Sequence, residues 1–210
     1  VGLRQPEGAP LRAQALAEAR WALAQLDTPA GHAAFAPTLD PPYGVFYVGW
    51  TSRLRGAVLQ LQPAAGRDPA EVARFTADCA ALARAFAAGP SPFLPAYPGQ
   101  AWPVDSTVAI AALRLHDTVL PPRYAPLIRD WLAAAQARLD PATGLLPHRA
   151  DLGTGQPLEG ARGSSQSVIM RFLPEIDPGW SAAQYATFRR QFVTTVAGLP
   201  GVREYPLGTE

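Results

Sequence analysis

The sequence predicts an all-α protein built from repeated antiparallel helical hairpins. Four segments place apolar residues every three to four positions, which is the pattern of a helix with one face in water. Three further apolar segments are shorter and less clearly two-faced, and they alternate with the first four. The apolar segments start near Trp50, Asp105 and Ser164, roughly 55 to 60 residues apart, and such a period indicates a repeat architecture.

The four two-faced segments are predicted to be the outer helices of the hairpins. Pro10 suits the first turn of a helix, and Asp68 is a favourable N-cap for the second segment. Each segment carries charged or amide side chains opposite its apolar stripe, as expected of a half-exposed helix. The segments cover residues 10–26, 69–88, 123–139 and 181–197.

The three less clearly two-faced segments, at 50–62, 105–116 and 164–173, are predicted to be buried inner helices. The middle one contains an uninterrupted apolar run from Val108 to Leu113. Each is preceded by a long loop rich in proline, glycine and aromatic residues, whereas the links in the other direction are short. Long loops on one side of a stack of hairpins would form a single loop-bearing face, called the mouth below.

The amino-acid composition argues against several classes of function. The chain has 18 basic and 17 acidic residues and a formal net charge of +1, which is too balanced for a nucleic-acid-binding face. No run approaches the ~20 apolar residues that a membrane-spanning helix needs. Cys79 is the only cysteine and the histidines are scattered. We therefore expect no intrachain disulfide, no metal site and no cofactor.

Two short motifs connect this architecture with a known superfamily. The turn Asp140-Pro141-Ala142-Thr143-Gly144-Leu145 resembles the D-x-x-T-G-L turn that follows outer helices in six-hairpin α/α toroids. The stretch from Tyr97 to Ser106 is similar to the aromatic-plus-carboxylate segments that lead into their inner helices. These toroids include many glycoside hydrolases, sugar 2-epimerases and the linalool dehydratase-isomerase group. The resemblance implies a single domain, residues 1–210, that forms part of an α/α toroid.

The helix count predicts an incomplete ring. Four outer and three inner helices are predicted here, whereas a closed toroid of this kind has twelve helices, and the residues after Gly201 read like the beginning of another long loop. We expect the chain to be a piece of a longer protein, or one half completed by a partner. An isolated part of a repeat array leaves its terminal faces uncovered, so we also expect self-association.

In the toroids the active centre lies at the mouth, where helix N-termini present unpaired N–H groups and the positive end of the helix dipole. Asp105 is the first candidate for a catalytic acid or base, because a carboxyl group beside the indole of Trp102 can be desolvated and its pKa raised. The alternative is that Asp105 only caps the helix. Glu159 and His148, on mouth loops, are further catalytic candidates. An exposed histidine without a function is the alternative for His148.

The same segments supply candidate substrate-binding residues. Trp50 and Trp102 can stack against sugar rings or an apolar ligand, or simply pack over the inner helices. Arg53 and Arg162 can hold an anion in a bidentate fork, or can tie loops to helix-end carbonyl groups. For Ser164 the alternative is an N-cap. The candidate binding residues are Tyr47, Trp50, Arg53, Trp102, Arg162 and Ser164.

Three functions follow from these observations. The preferred one is a carbohydrate-active enzyme, either a hydrolase, a lyase or an epimerase, with a carbohydrate or other small molecule as its ligand. The second is a dehydratase-isomerase that acts on a small terpenoid alcohol, and the third is a non-catalytic scaffold or binding module. A mouth rich in acids and exposed indoles would favour the first, an enclosed apolar pocket the second, and a mouth filled by its own side chains the third.

Overall fold

The computed structural model describes Pro6 and residues 9–209, and this part of the protein is predominantly helical, with 59% of residues in helices. The described helices are α1 (Pro10–Leu26), α2 (Pro29–His32), α3 (Gly44–Gln60), α4 (Pro69–Ala88), α5 (Pro103–Val119), α6 (Ala125–Gln136), α7 (Gly163–Ile176) and α8 (Pro178–Phe192). The described strands are β1 (Pro95–Tyr97), β2 (Gln100–Ala101), β3 (Arg149–Ala150), β4 (Pro157–Glu159), β5 (Val193–Val196) and β6 (Leu199–Val202). None of the described helices combines the length and hydropathy needed to cross a bilayer.

Three helices occupy the centre of the molecule. α5 packs between α3 and α7, while α4 and α6 pack on α5, and α8 packs on α7. Every residue from Val108 to Leu113 of α5 has no exposed surface. The burial that the apolar run predicts for this helix is therefore confirmed.

Two glycines on one face of α3 allow it to lie close to α5. A Cβ added at Gly49 would lie 3.1 Å from the Cβ of Ala109 and 3.3 Å from its Cα. A Cβ at Gly56 would collide with the side chain of Leu115. Glycine weakens a helix by about 1 kcal/mol relative to alanine, so at these positions close helix packing offsets its low helix propensity.

The loops that lead into α5 and α7 pair as a four-stranded antiparallel sheet in the order β1-β2-β3-β4. Ala101 of β2 pairs with Ala150 of β3, which joins the two loops. The beginning of α3 lies against β1, since a Cβ on Gly44 would collide with the carbonyl oxygen of Ala96. The N-termini of α3, α5 and α7 consequently lie on one side of the fold.

The structure corrects the predicted start of the first inner helix. α3 begins at Gly44, not near Trp50, because Tyr43 (φ 71°) and Gly44 (φ 81°) form a left-handed turn that leads directly into the helix. The loop predicted at 35–49 is therefore shorter, and Tyr47, Trp50 and Arg53 lie within a helix.

The predicted end of the last helix is also corrected. The last predicted helix extends to residue 197, but α8 ends at Phe192 and Val193–Val196 pairs with Leu199–Val202 as a β-hairpin. Ala197 and Gly198 both have positive φ, which the two-residue turns that match strand twist require. The four β-branched residues of β5 favour an extended conformation over helix.

The close contact between α3 and α5 gives a testable prediction. Gly49→Leu is expected to destabilise the protein by about 2 kcal/mol, because overpacking a filled contact costs roughly 1–3 kcal/mol. Ala57→Leu is the matched control, since Ala57 lies on the same helix but lines an open groove. Its stability should stay within about 0.5 kcal/mol of wild type. Urea unfolding followed by circular dichroism measures both, and equal losses would contradict this account of Gly49.

Candidate functional site

Asp105 lies in the first turn of α5 with only 2% of its surface exposed. The indole Nε1–H of Trp50, on α3, donates a hydrogen bond of 3.2 Å to its Oδ1 atom. Its Oδ2 atom is buried and has no hydrogen-bond partner among the described residues. Because buried carboxyl oxygens are normally paired, Oδ2 is available to a proton or to a ligand.

The capping interpretation of Asp105 is wrong. Trp102 is the N-cap residue of α5, Pro103 is its first helical residue, and none of the described side chains caps this terminus. The N–H of Asp105 already donates to the carbonyl oxygen of Trp102 at 3.0 Å, so Asp105 lies inside the first turn. Its carboxyl group is directed to α3 and not to the helix amides.

The environment changes the acidity of this group. Burial raises the pKa of Asp105 from its ordinary 3.8 to about 7, while the hydrogen bond from Trp50 opposes part of that rise. The cause is desolvation, which disfavours the carboxylate. A carboxyl group with a pKa near 7 exists in both protonation states at neutral pH, as a general acid or base requires.

Trp50, which binds Asp105, belongs to a chain of four aromatic rings that is called here the aromatic wall: Phe46, Trp50, Tyr97 and Trp102. The ring of Phe46 lies 6.3 Å from that of Trp50 and 5.9 Å from that of Tyr97. Tyr97 in turn meets Trp102 edge-on at 5.7 Å. Burial and the nearby charge of Asp105 raise the pKa of the Tyr97 phenol. The wall thus gives the buried carboxyl group an aromatic neighbour on the side of Trp50.

His148 lies next to the aromatic wall and adds a polar side chain to it. Its ring stacks on Trp102 at 5.9 Å with an interplanar angle of 25°. Its Nδ1 atom lies 2.5 Å from the hydroxyl oxygen of Ser165, and its backbone N–H donates to the carbonyl oxygen of Glu159. Burial and the charge of Arg162 lower the pKa of His148, so the imidazole is neutral at pH 7 and can accept a proton as a general base.

Glu159 lies on β4, where two arginines hold its carboxylate. Arg149 Nε and Arg162 Nη2 each donate to it at 2.7 Å. The guanidinium of Arg162 also lies 5.5 Å from the centre of the Tyr205 ring. The predicted site residues Glu159 and Arg162 thus form an ion pair with each other, and this pair links β4 to the start of α7.

Tyr47 and Arg53 point to other neighbours, since both lie within α3. The Tyr47 hydroxyl donates to the carbonyl oxygen of Leu26 at 2.9 Å, and burial raises its pKa to about 12. It therefore ties α3 to the end of α1. Arg53 Nη2 binds the carboxylate of Glu175, on α7, at 2.9 Å.

Ser164 is not an N-cap, because α7 begins at Gly163 with Arg162 as the cap residue. Its backbone N–H and its hydroxyl instead bind the carboxylate of Glu204, at 3.0 and 2.9 Å. The segment after β6 thus lies over the start of α7. A negative carboxylate is favourable at this positive helix end.

Three neighbours of Asp105 and His148 were not predicted as site residues: Phe46, Tyr97 and Ser165. Tyr97 stands in the same motif as Trp102, and Ser165 follows the predicted Ser164. Phe46 lies one helical turn before Trp50, a relation visible only once the start of α3 is known. No group of three metal-ligating side chains occurs within Pro6 and residues 9–209.

No protein-family model matches the chain, and no curated protein is significantly similar to it in sequence. The chemistry of its own side chains is therefore the basis for a function.

The raised pKa of Asp105 makes stability depend on pH. The folded protein holds this proton more tightly than the unfolded chain, so the stabilisation is complete below about pH 4 and is lost as the pH rises through 7. Between pH 5 and pH 8 wild type should lose on the order of 3 kcal/mol that Asp105→Asn does not lose. Urea unfolding at both pH values tests this. Asp130→Asn, at an exposed position, should keep the wild-type dependence, and a wild-type slope in Asp105→Asn would contradict the assignment.

Proposed function

We propose that the protein is a carbohydrate-active enzyme of the α/α-toroid class in which Asp105 is the general acid or base. The observation that supports this proposal most strongly is the environment of the Asp105 carboxyl group. It is buried, has one oxygen hydrogen-bonded to Trp50 and the other unpaired, and has a pKa of about 7. Strongly perturbed groups of this kind are concentrated at catalytic sites.

The arrangement of helices supports the toroid class. Helices α3, α5 and α7 are the inner helices of the proposal, and α1, α4, α6 and α8 are the outer ones. The N-termini of the inner helices share a side with the long loops, and Asp105 lies at the central one. Aromatic rings beside a carboxyl group suit a sugar, whose ring stacks on them while its hydroxyl groups remain bonded.

Within this class, proton transfer by a lyase or epimerase fits the side chains better than hydrolysis. Hydrolysis usually requires two carboxyl groups across the glycosidic bond, and the candidate partner Glu159 is paired with two arginines. Neutral His148 can remove a proton from a carbon beside a carbonyl group and becomes an imidazolium ion. Protonated Asp105 is the proposed acid, which returns a proton to the sugar and becomes a carboxylate, and proton exchange with water then restores both groups.

Deuterium incorporation tests this proposal. When the protein acts on a panel of aldoses, ketoses and uronic-acid oligosaccharides in D2O, mass spectrometry should find carbon-bound deuterium in the recovered sugar. Asp105→Asn should slow this incorporation about 10²–10⁴-fold, since an amide still accepts the Trp50 bond but cannot transfer the proton. Asp151→Asn, on an exposed turn, is the control and should react at the wild-type rate. An unchanged rate in Asp105→Asn would remove Asp105 from the mechanism.

A second function, dehydration and isomerisation of a small terpenoid alcohol, is favoured by the apolar character of the aromatic wall. Phe46 and Trp50 present hydrocarbon surface, and the carboxyl group of Asp105, with one oxygen unpaired among the described residues, lies beside Trp50. In that reaction protonated Asp105 would give its proton to the leaving hydroxyl group. Turnover of a terpenoid alcohol without any reaction of the sugars would select this alternative.

A further inference from the structure

A groove of about 470 Å³ lies between α3 and α7; Phe46 and Trp50 of the aromatic wall line it, and Asp105 does not. Its lining is mostly apolar. The large apolar residues that line it are Leu26, Phe35, Phe46, Trp50, Leu54 and Phe172.

Two arginines, Arg53 and Arg171, line the same groove. Both bind the carboxylate of Glu175, Arg53 at 2.9 Å and Arg171 at 2.7 Å. Their guanidinium carbons lie 5.7 and 5.2 Å from the centre of the Phe172 ring. Two cations thus share a single carboxylate, which leaves this end of the groove with a net positive charge.

One donor at this end is unused. The Nε–H of Arg53 is buried and has no hydrogen-bond partner among the described residues. A buried charged donor without a partner destabilises the folded protein unless an acceptor reaches it. A carboxylate is the acceptor that matches a guanidinium best, since its two oxygens fit the planar fork.

We propose that this groove binds a small amphipathic anion, namely an organic carboxylate with a hydrocarbon body. The carboxylate pairs with Arg53 and Arg171, and the hydrocarbon body covers Phe46, Leu54 and Phe172. A neutral ligand of the same shape would leave the excess charge and the Arg53 donor unmatched. The proposal does not depend on catalysis by Asp105, because binding is measured without turnover.

Calorimetric titration with three probes separates the two parts of the ligand. Octanoate carries both the chain and the charge, octanol carries the chain alone, and acetate carries the charge alone. Octanoate should bind at least about tenfold more tightly than either of the others, as one charge-assisted hydrogen bond in a desolvated site allows.

The variants then test the arginines. Arg171 is 64% exposed, so Arg171→Gln should fold normally and weaken octanoate binding about tenfold while octanol binding stays the same. Arg129→Gln is the matched control, since Arg129 is also an exposed helical arginine beside a carboxylate, and it should bind octanoate like wild type.

Two results would overturn the proposal. One is octanoate binding no tighter than octanol, or equally affected by Arg171→Gln and Arg129→Gln. The other is a dimer in sedimentation velocity that Leu54→Glu dissociates and octanoate does not, because a second copy of the chain would then cover the groove.

Discussion

The close packing of α3 on α5 determines both the core and the position of the candidate site. Gly49 lets the helices approach to contact at Ala109, and the next residue along α3, Trp50, reaches Asp105, one turn before Ala109 on α5. A bulkier residue at Gly49 would separate the helices and draw the indole N–H away from the carboxyl group. The hydrogen bond at the site is therefore a consequence of the packing of the core.

Another buried ionisable group of this protein, unlike Asp105, has two ion-pair partners. Arg55 is as enclosed as a core residue, yet its guanidinium binds Asp27 at 2.5 Å and Asp78 at 2.8 Å. Asp105 has one hydrogen bond and a second oxygen without a partner in the described residues. Ion pairs offset the free-energy cost of desolvating a charge, so the burial of Arg55 is explained without a functional role. The half-paired Asp105 is not, and this contrast favours a functional role.

The ends of helices are predicted best from the sequence where neighbouring residues determine them. The predicted bounds of α1 and α4 are confirmed, because Pro10 and the Asp68-Pro69 pair act within the first turn. The left-handed turn before α3 depends on contact with β1, which no local pattern reveals. Strands of two to four residues are too short to show alternation. Pro103 was an unused signal, since a proline in the first turn already places Asp105 inside the helix.

One cause acts on both candidate proton-transfer groups. Desolvation favours the neutral form of an acid and of a base, so it raises the pKa of Asp105 to about 7 and lowers that of His148 below its ordinary 6.5. Near neutral pH a large share of Asp105 is therefore the protonated acid, while His148 is the unprotonated base. Proton transfer requires an acid whose pKa lies near the working pH and a base in its unprotonated form. Trp102 is the N-cap residue of α5 and its ring stacks on His148, so it connects the helix that carries Asp105 with the loop that carries His148.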